Sequence, residues 1–345
     1  MKHFIQLSLF IAFVLLTATS CEEINTQTVI RPDGSCRREY LITNEVSQPK
    51  QAGQAERRYA SMMHDSGWQR SISPEQIRLW REYPNVEAMS ADHPIDLGGK
   101  PLTCHSTLRS RFHWFYTEHT YTETYACVSH YFKIPTDDYM SHEEAVCWFT
   151  SNDTLCAGKV GSERLTALEA IEEKAYKWLS ANEVRAHLDM IADNYDSVPN
   201  PPLSRDAFVA GIDSMTRRIM QEGYSIKIEK PGTSRVIGRF LTHVYGSDAY
   251  TDTFFSGTAE ECKDNDLLER QLATQMEVLT TTFNGRLDLM GNDYTYSFRL
   301  SSLIADDVVC SWTIRRPNIW AYAVSALIVL MAIGLTIYCH KKQTK

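Results

Sequence analysis

The chain has none of the signatures that usually announce catalysis. It contains no Gly-x-Ser-x-Gly elbow, no Ser-x-x-Lys with its partner motifs, no Cys-x-x-Cys and no His-Glu-x-x-His. Gly232, Gly238, Gly246 and Gly257 do not line up as a phosphate cradle behind a strand. No internal repeat is present, which excludes a solenoid. Glycine is modest, 16 of 345 residues, and aromatic residues are common, which excludes a disordered stalk. Acidic residues are missing from both ends: all 43 Asp and Glu lie between residues 22 and 316. Charge of either sign is missing from Ile319 to Cys339.

That uncharged run organises the rest. As a helix its 21 residues would be about 31 Å long, close to the ~30 Å hydrocarbon core of a bilayer. Trp320 and Tyr322 mark one interface and Tyr338 the other; Arg315 and Arg316 precede the run, and Lys341, Lys342 and Lys345 follow it. A membrane-spanning helix over 317–340 is expected, with a tail at 341–345. At the other end, Lys2 and His3 precede a 13-residue apolar stretch, Phe4 to Leu16, too short to span, and then the small residues Thr17 to Ser20. This pattern predicts a secretory signal peptide over 1–20. The positive-inside rule then puts the Lys-rich tail in the cytoplasm and residues 22–316 outside it.

The segment Ala18-Thr19-Ser20-Cys21 resembles the lipobox of bacterial lipoproteins. The resemblance implies acylation at Cys21 by palmitate-type chains, and so a second anchor on the same membrane as the C-terminal helix. A helical span further implies the inner (cell) membrane, since outer-membrane spans are barrels.

Between the two devices lie 31 basic and 43 acidic residues, a net charge of −12. This excludes nucleic acid as a partner and argues against docking on anionic lipid headgroups. Of nine cysteines, seven fall in this region. In an oxidising periplasm Cys147–Cys156 and Cys104–Cys127 are the candidate disulfides, and an odd number leaves at least one thiol over.

Along the chain, Ile24, Thr26, Thr28 and Ile30 alternate up to a Pro32-Asp33-Gly34-Ser35 turn, and Cys36, Arg38, Tyr40 and Ile42 alternate after it. A hairpin is predicted. Residues 44–58 read as a polar loop and Pro74 to Glu82 as a short helix. Ser110 to Phe132 is rich in strand formers and reads as one long strand, or a hairpin broken near Glu118. Its aromatic residues Phe112, Trp114, Tyr116, Tyr121 and Tyr125 form a candidate ligand face for a lipid or glycan, against the plainer reading of a sheet packed on helices.

Ser141-His142-Glu143-Glu144 is a capping box. A helix with Leu165, Leu168, Ile171, Ala175 and Trp178 on one stripe follows, with a break expected at Ser180 to Asn182, and Ser204 caps another. Strands are expected at Tyr224 to Glu229 and Val236 to Tyr245. A second capping box, Thr258 to Glu261, opens a helix expected to end at Asn284-Gly285. A hairpin around Gly291 and a final strand, Val308 to Ile314, lead into the membrane.

The expected fold is thus α+β. A β-rich part, 21–136, precedes a mainly helical block, 137–222, and 223–316 completes an antiparallel, membrane-proximal sheet in which the first hairpin pairs with the last strand. The lipobox, the Asp-Gly hairpin and a Trp-bearing strand entering a single span together resemble LppM-type envelope lipoproteins, which implies lipid or glycolipid handling. The function expected is that of a membrane-anchored envelope lipoprotein, non-enzymatic, binding or structural, whose partner is an envelope protein, lipid or glycan. No catalytic residue, metal or cofactor is assigned. The alternative is a periplasmic hydrolase or metal-dependent enzyme, suggested by Cys104, His105, His113, His119, Cys127, His130, His142 and Cys147 in one segment. Asn152-Asp153-Thr154 is a glycosylation sequon, relevant only in a eukaryotic host.

Overall fold

The first hairpin forms as its alternation predicts. The computed structural model describes residues 23–43, 58–73, 76–98, 100–150, 153–222, 232–255 and 266–343. Strands β1 (Glu23–Ile30) and β2 (Cys36–Thr43) pair from Asn25↔Leu41 to Ile30↔Cys36. Gly34 takes φ +86° in the turn, and Asp33 Oδ1 accepts the Ser35 amide at 3.0 Å. Both alternating sets face inward and are buried: Ile24, Thr26, Thr28 and Ile30 on one strand, Cys36, Arg38, Tyr40 and Ile42 on the other.

The fold is α+β. The remaining strands are β3 (Gln69–Ile72), β4 (Gln76–Tyr83), β5 (Asp96–Leu97), β6 (Lys100–Pro101), β7 (Cys104–Phe112), β8 (Tyr116–Tyr125), β9 (Thr282–Leu289), β10 (Asn292–Arg299) and β11 (Val308–Pro317). They form a six-stranded sheet, β10-β9-β1-β2-β4-β3, a three-stranded sheet, β11-β8-β7, and the small β5-β6 ladder. Among the described residues all pairings are antiparallel except β1 with β9.

The expected pairing of the first hairpin with the last strand in one sheet is not made. β9 occupies the free edge of β1, and β11 pairs over its whole length with β8. The two sheets instead share a core, in which Ile30, Cys36, Leu287 and Leu289 of the larger meet Tyr121 and Ile314 of the smaller.

The helices of nine residues or more are α1 (His142–Thr150), α2 (Gly161–Asp193), α3 (Arg205–Glu222), α4 (Thr233–Tyr245), α5 (Asp266–Thr280) and α6 (Ile319–Gln343). The capping box at Ser141 closes reciprocally: Ser141 N donates to Glu144 Oε2 at 2.9 Å, and Glu144 N to Ser141 Oγ at 3.3 Å. At 33 residues α2 is about 50 Å long. Its Ala175 and Trp178 belong to the core behind the six-stranded sheet, and Val184, Leu188 and Ile191 to a separate helical core with α3 and α4. One rigid element thus joins two cores.

Four expected elements differ. The break at Ser180–Asn182 is absent: the Asn182 amide is engaged from outside, its Oδ1 accepting the Ile134 amide at 3.0 Å and its Nδ2 donating to the Ile134 carbonyl, and Nδ2 also donates back to the Trp178 carbonyl of the same helix. Residues 76–83 are strand β4, held on both edges by β2 and β3. Val236 to Tyr245 is helix α4, whose Val236, Ile237, Phe240 and Leu241 are buried on one face. α5 stops at Thr280, and Asn284 and Gly285 continue as β9 because Phe283, Gly285 and Leu287 alternate inward. The signal segment, Cys21, the loop 44–57, Gly223 to Glu229, Thr258 to Glu261, Cys262 and Asn152 lie outside the described residues.

Candidate functional site

Two arrangements stand out, one between the sheets and one at the root of α6. The first grows from two charges placed at inward strand positions. Arg38 takes its turn among Cys36, Tyr40 and Ile42 on β2; Glu123 sits between Tyr121 and Tyr125 on β8. Folding brings them together as a buried ion pair, with Arg38 6% and Glu123 0% exposed. Glu123 Oε1 also accepts the Tyr121 hydroxyl at 2.5 Å, and Oε2 accepts Tyr125 at 3.0 Å and Tyr296 of β10. Every oxygen of the carboxylate is thereby satisfied.

Tyr296 reaches across because Gly285 lies directly beneath it: a Cβ on Gly285 would come within 2.0 Å of the Tyr296 ring. Burial works against the Arg38 charge, but the carboxylate of Glu123 together with the surrounding tyrosines outweighs it and raises the guanidinium's affinity for its proton. Burial and the same carboxylate push the Tyr121, Tyr125 and Tyr296 hydroxyls upward. The guanidinium and the three hydroxyls thus keep their protons at neutral pH, which suits a permanent clamp and not a proton-transfer site.

Beside the clamp is a cavity of about 10 Å³, lined among others by Arg38, Tyr40, His93, Cys104 and Ser106. It has room for about one water molecule, and Arg38 Nε, buried without a protein partner, borders it. Burial pushes the thiols of Cys36, Cys104 and Cys310 up to about 11, so they are protonated and weakly nucleophilic at neutral pH. Neither expected bridge is formed. Cys104 Sγ lies 3.9 Å from Ser106 Oγ, Cys127 Sγ donates to the Ile304 carbonyl, and Cys156 is a buried free thiol. For Cys104 and Cys127 the reason is register: Cys104 faces Tyr125, two residues short of Cys127.

The Cys/His-rich segment is dispersed. His119 bonds Ser110, His113 stacks on Tyr116, His130 packs at a tilt against Tyr131, and His142 lies 4.0 Å from Asp306. Among the described residues no three His, Cys, Asp or Glu side chains converge as a metal site.

The candidate aromatic face is divided. Tyr121 and Tyr125 are the buried clamp residues, whereas Phe112 and Trp114 are 58% and 46% exposed, and Tyr116 is intermediate. The hairpin turns at His113–Phe115, not near Glu118. No family model, curated protein or solved structure matches this chain. Function rests on geometry alone.

The second arrangement is where that turn meets α6. Ile319–Tyr338 has a mean hydropathy of 2.1 with only 6% of it buried, long and apolar enough to cross a membrane. A single residue, Asn318, separates it from β11. Asn318 N donates to the Phe115 carbonyl at 2.9 Å, its Nδ2 to the His113 carbonyl at 2.7 Å, and its Oδ1 accepts Thr117 Oγ1 at 3.0 Å. Trp114 Nε1 donates to Ser325 Oγ at 3.0 Å; Phe112 stacks on Trp320 at 6.2 Å, and Phe115 packs on Tyr322 at 5.0 Å. The hairpin tip is thereby bound along the first two turns of the apolar helix. Sequence reasoning passed over Asn318 and Ser325. A polar residue between a strand and an apolar helix was the available signal.

Proposed function

We propose that the chain is a single-pass membrane protein of the bacterial cell envelope that carries a rigidly mounted, non-enzymatic domain for binding or scaffolding. The observation that carries this reading is the junction of β11 and α6. A tethered domain would tumble on a linker, whereas here one residue, hydrogen-bonded through backbone and side chain, and a set of packed aromatic side chains fix the helix to the three-stranded sheet.

On this reading the β7-β8-β11 sheet lies next to the bilayer, and the helical core of α2, α3 and α4 is carried away from it at a set height and angle. Cys21 is acylated and α6 enters the inner membrane with the Lys-rich tail in the cytoplasm; the lipobox resemblance and the flanking charges support this orientation. The partner is an envelope protein, lipid or glycan. The saturated clamp, the single-water cavity and the protonated thiols favour a structural module over a catalyst.

The test is twofold. The full chain should stay in the membrane pellet through an alkaline carbonate wash and incorporate labelled palmitate at Cys21, with Cys21→Ser losing the label. Turnover of envelope glycans or peptides by the purified full chain would overturn the non-enzymatic part.

A further inference from the structure

The outward face of the small sheet is polar for most of its length. Thr120 and Thr313 bond at 3.0 Å, as do Thr122 and Ser311. Toward the α6 end it becomes cationic. Register sets Arg111 on β7 and Arg315 on β11 on either side of Glu118. Arg109 follows one step back beside Thr120 on the same face, while Arg316, opposite Thr117, projects from the other face at the same end of the sheet. All four arginines are exposed. The one acid among them, Glu118, is taken by Arg315 at 3.0 Å. Among the described residues Arg109, Arg111 and Arg316 have no carboxylate partner within ion-pair distance.

Immediately beyond these arginines come Trp114 and Phe115, exposed at the hairpin tip and held against α6. Trp114 bonds Ser325, six residues or roughly 9 Å along the helix from Ile319. The sequence of surfaces along this edge is therefore guanidinium, then amphipathic ring, then hydrocarbon. That matches the order phosphate, headgroup boundary and acyl chain in one leaflet.

We propose that this edge is a lipid-headgroup site: Arg109, Arg111 and Arg316 bind the phosphates of anionic phospholipids in the leaflet that α6 enters, while Trp114 and Phe115 insert at headgroup depth. A guanidinium fork suits a phosphate, with two N–H donors meeting two oxygens. The proposal rests on α6 spanning the membrane. It also revises the expectation from net charge. A domain of −12 is repelled by an anionic surface everywhere except at this locally cationic edge, so the acidic majority helps to orient it edge-down.

The test reconstitutes the full chain into phosphatidylcholine–phosphatidylglycerol vesicles and compares quenching of tryptophan fluorescence when either lipid carries brominated acyl chains. The expected result is stronger quenching by brominated phosphatidylglycerol, with a relative affinity of about fivefold over phosphatidylcholine, the gain of one basic residue at an anionic surface. R109Q/R111Q/R316Q should bring that ratio to about one, with unchanged incorporation and circular dichroism; W114F should reduce the quenched fraction. Equal quenching by the two lipids in the unaltered chain, or a preference that survives the triple substitution, would overturn the headgroup site while leaving the spanning helix intact. Release of the chain from the vesicles by alkaline carbonate would overturn both.

Discussion

Arg38 and Glu123 hold the two sheets together, and the cost of losing either is set by burial. Removing one leaves the other as an unpaired charge in a dry interior, at about 3–5 kcal/mol. Arg38→Met is therefore expected to lower unfolding stability by that order in a urea titration of the detergent-solubilised protein. Combined with Glu123→Leu, it should cost much less than the two single changes added together. Gly285 is the second sensitive position. Gly285→Ala drives a methyl group into the Tyr296 ring, which cannot swing aside while its hydroxyl holds Glu123. A loss of ~1–3 kcal/mol is expected, largely abolished in a Tyr296→Ala background.

His187 adds a pH dependence. It is buried, with Nδ1 2.8 Å from the Glu183 carbonyl oxygen and Nε2 3.0 Å from Ser234 Oγ, and burial lowers its pKa below 6.5. The unfolded chain then binds more protons between the folded value and 6.5, so stability is complete above 6.5 and falls as pH drops through that window. Glu183 opposes it: burial raises its pKa above 4.5, so the fold holds that proton and gains stability as pH falls toward 4.5. Denaturation midpoints measured from pH 7 to 5 should fall more steeply in Glu183→Gln than in the unaltered protein, and stay flatter in His187→Gln.

At the scale of elements, the β7-β8 turn and the first turns of α6 act as one piece. Trp114→Ala with Asn318→Ala removes the bond to Ser325, the side-chain donor to the His113 carbonyl and the acceptor of the Thr117 hydroxyl, while the Asn318 backbone amide still holds Phe115. Each hydrogen bond is worth about 1 kcal/mol. Amide exchange across residues 112–118 is expected to accelerate by roughly one to two decades, with α6 still retained in the membrane. Much of this layer was readable in advance. The first hairpin, the Gly291 hairpin, the Ser141 capping box and the apolar terminal helix all carry local patterns that the chain obeys. The misassigned elements have a common cause. Residues 76–83 and 236–245 have weak local preference, and their partners decide them: two flanking strands for the first, the helical core for the second. Asn182 looked like a breaker because its amide could compete with the helix. Ile134 engages that amide from outside, and α2 runs on.

For the whole molecule, the consequence of α2 and the α6 junction is rigidity. Two cores joined by a ~50 Å helix, with the smaller sheet fixed to the apolar helix, leave no loose joint among the described residues. Spin labels placed on α3 and near the far end of α6 should give a narrow distance distribution in nanodiscs. Inserting four glycines after Pro317 should broaden it severely without releasing the protein from the membrane.

Some features are fixed by the chain's local chemistry. A 21-residue uncharged run can satisfy its backbone only as a helix in an apolar phase, and alternation with a Gly34 turn leaves a hairpin as its outlet. The inward alternation even exposed Arg38 and Glu123 as charges in core positions. Their meeting, 85 residues apart, was a matter for the tertiary structure, as were the stacking of two sheets where one was expected and the gathering of four arginines at one end of the smaller sheet. These depend on which strand edges were already occupied and on the register between strands distant in sequence, and no local pattern encodes either.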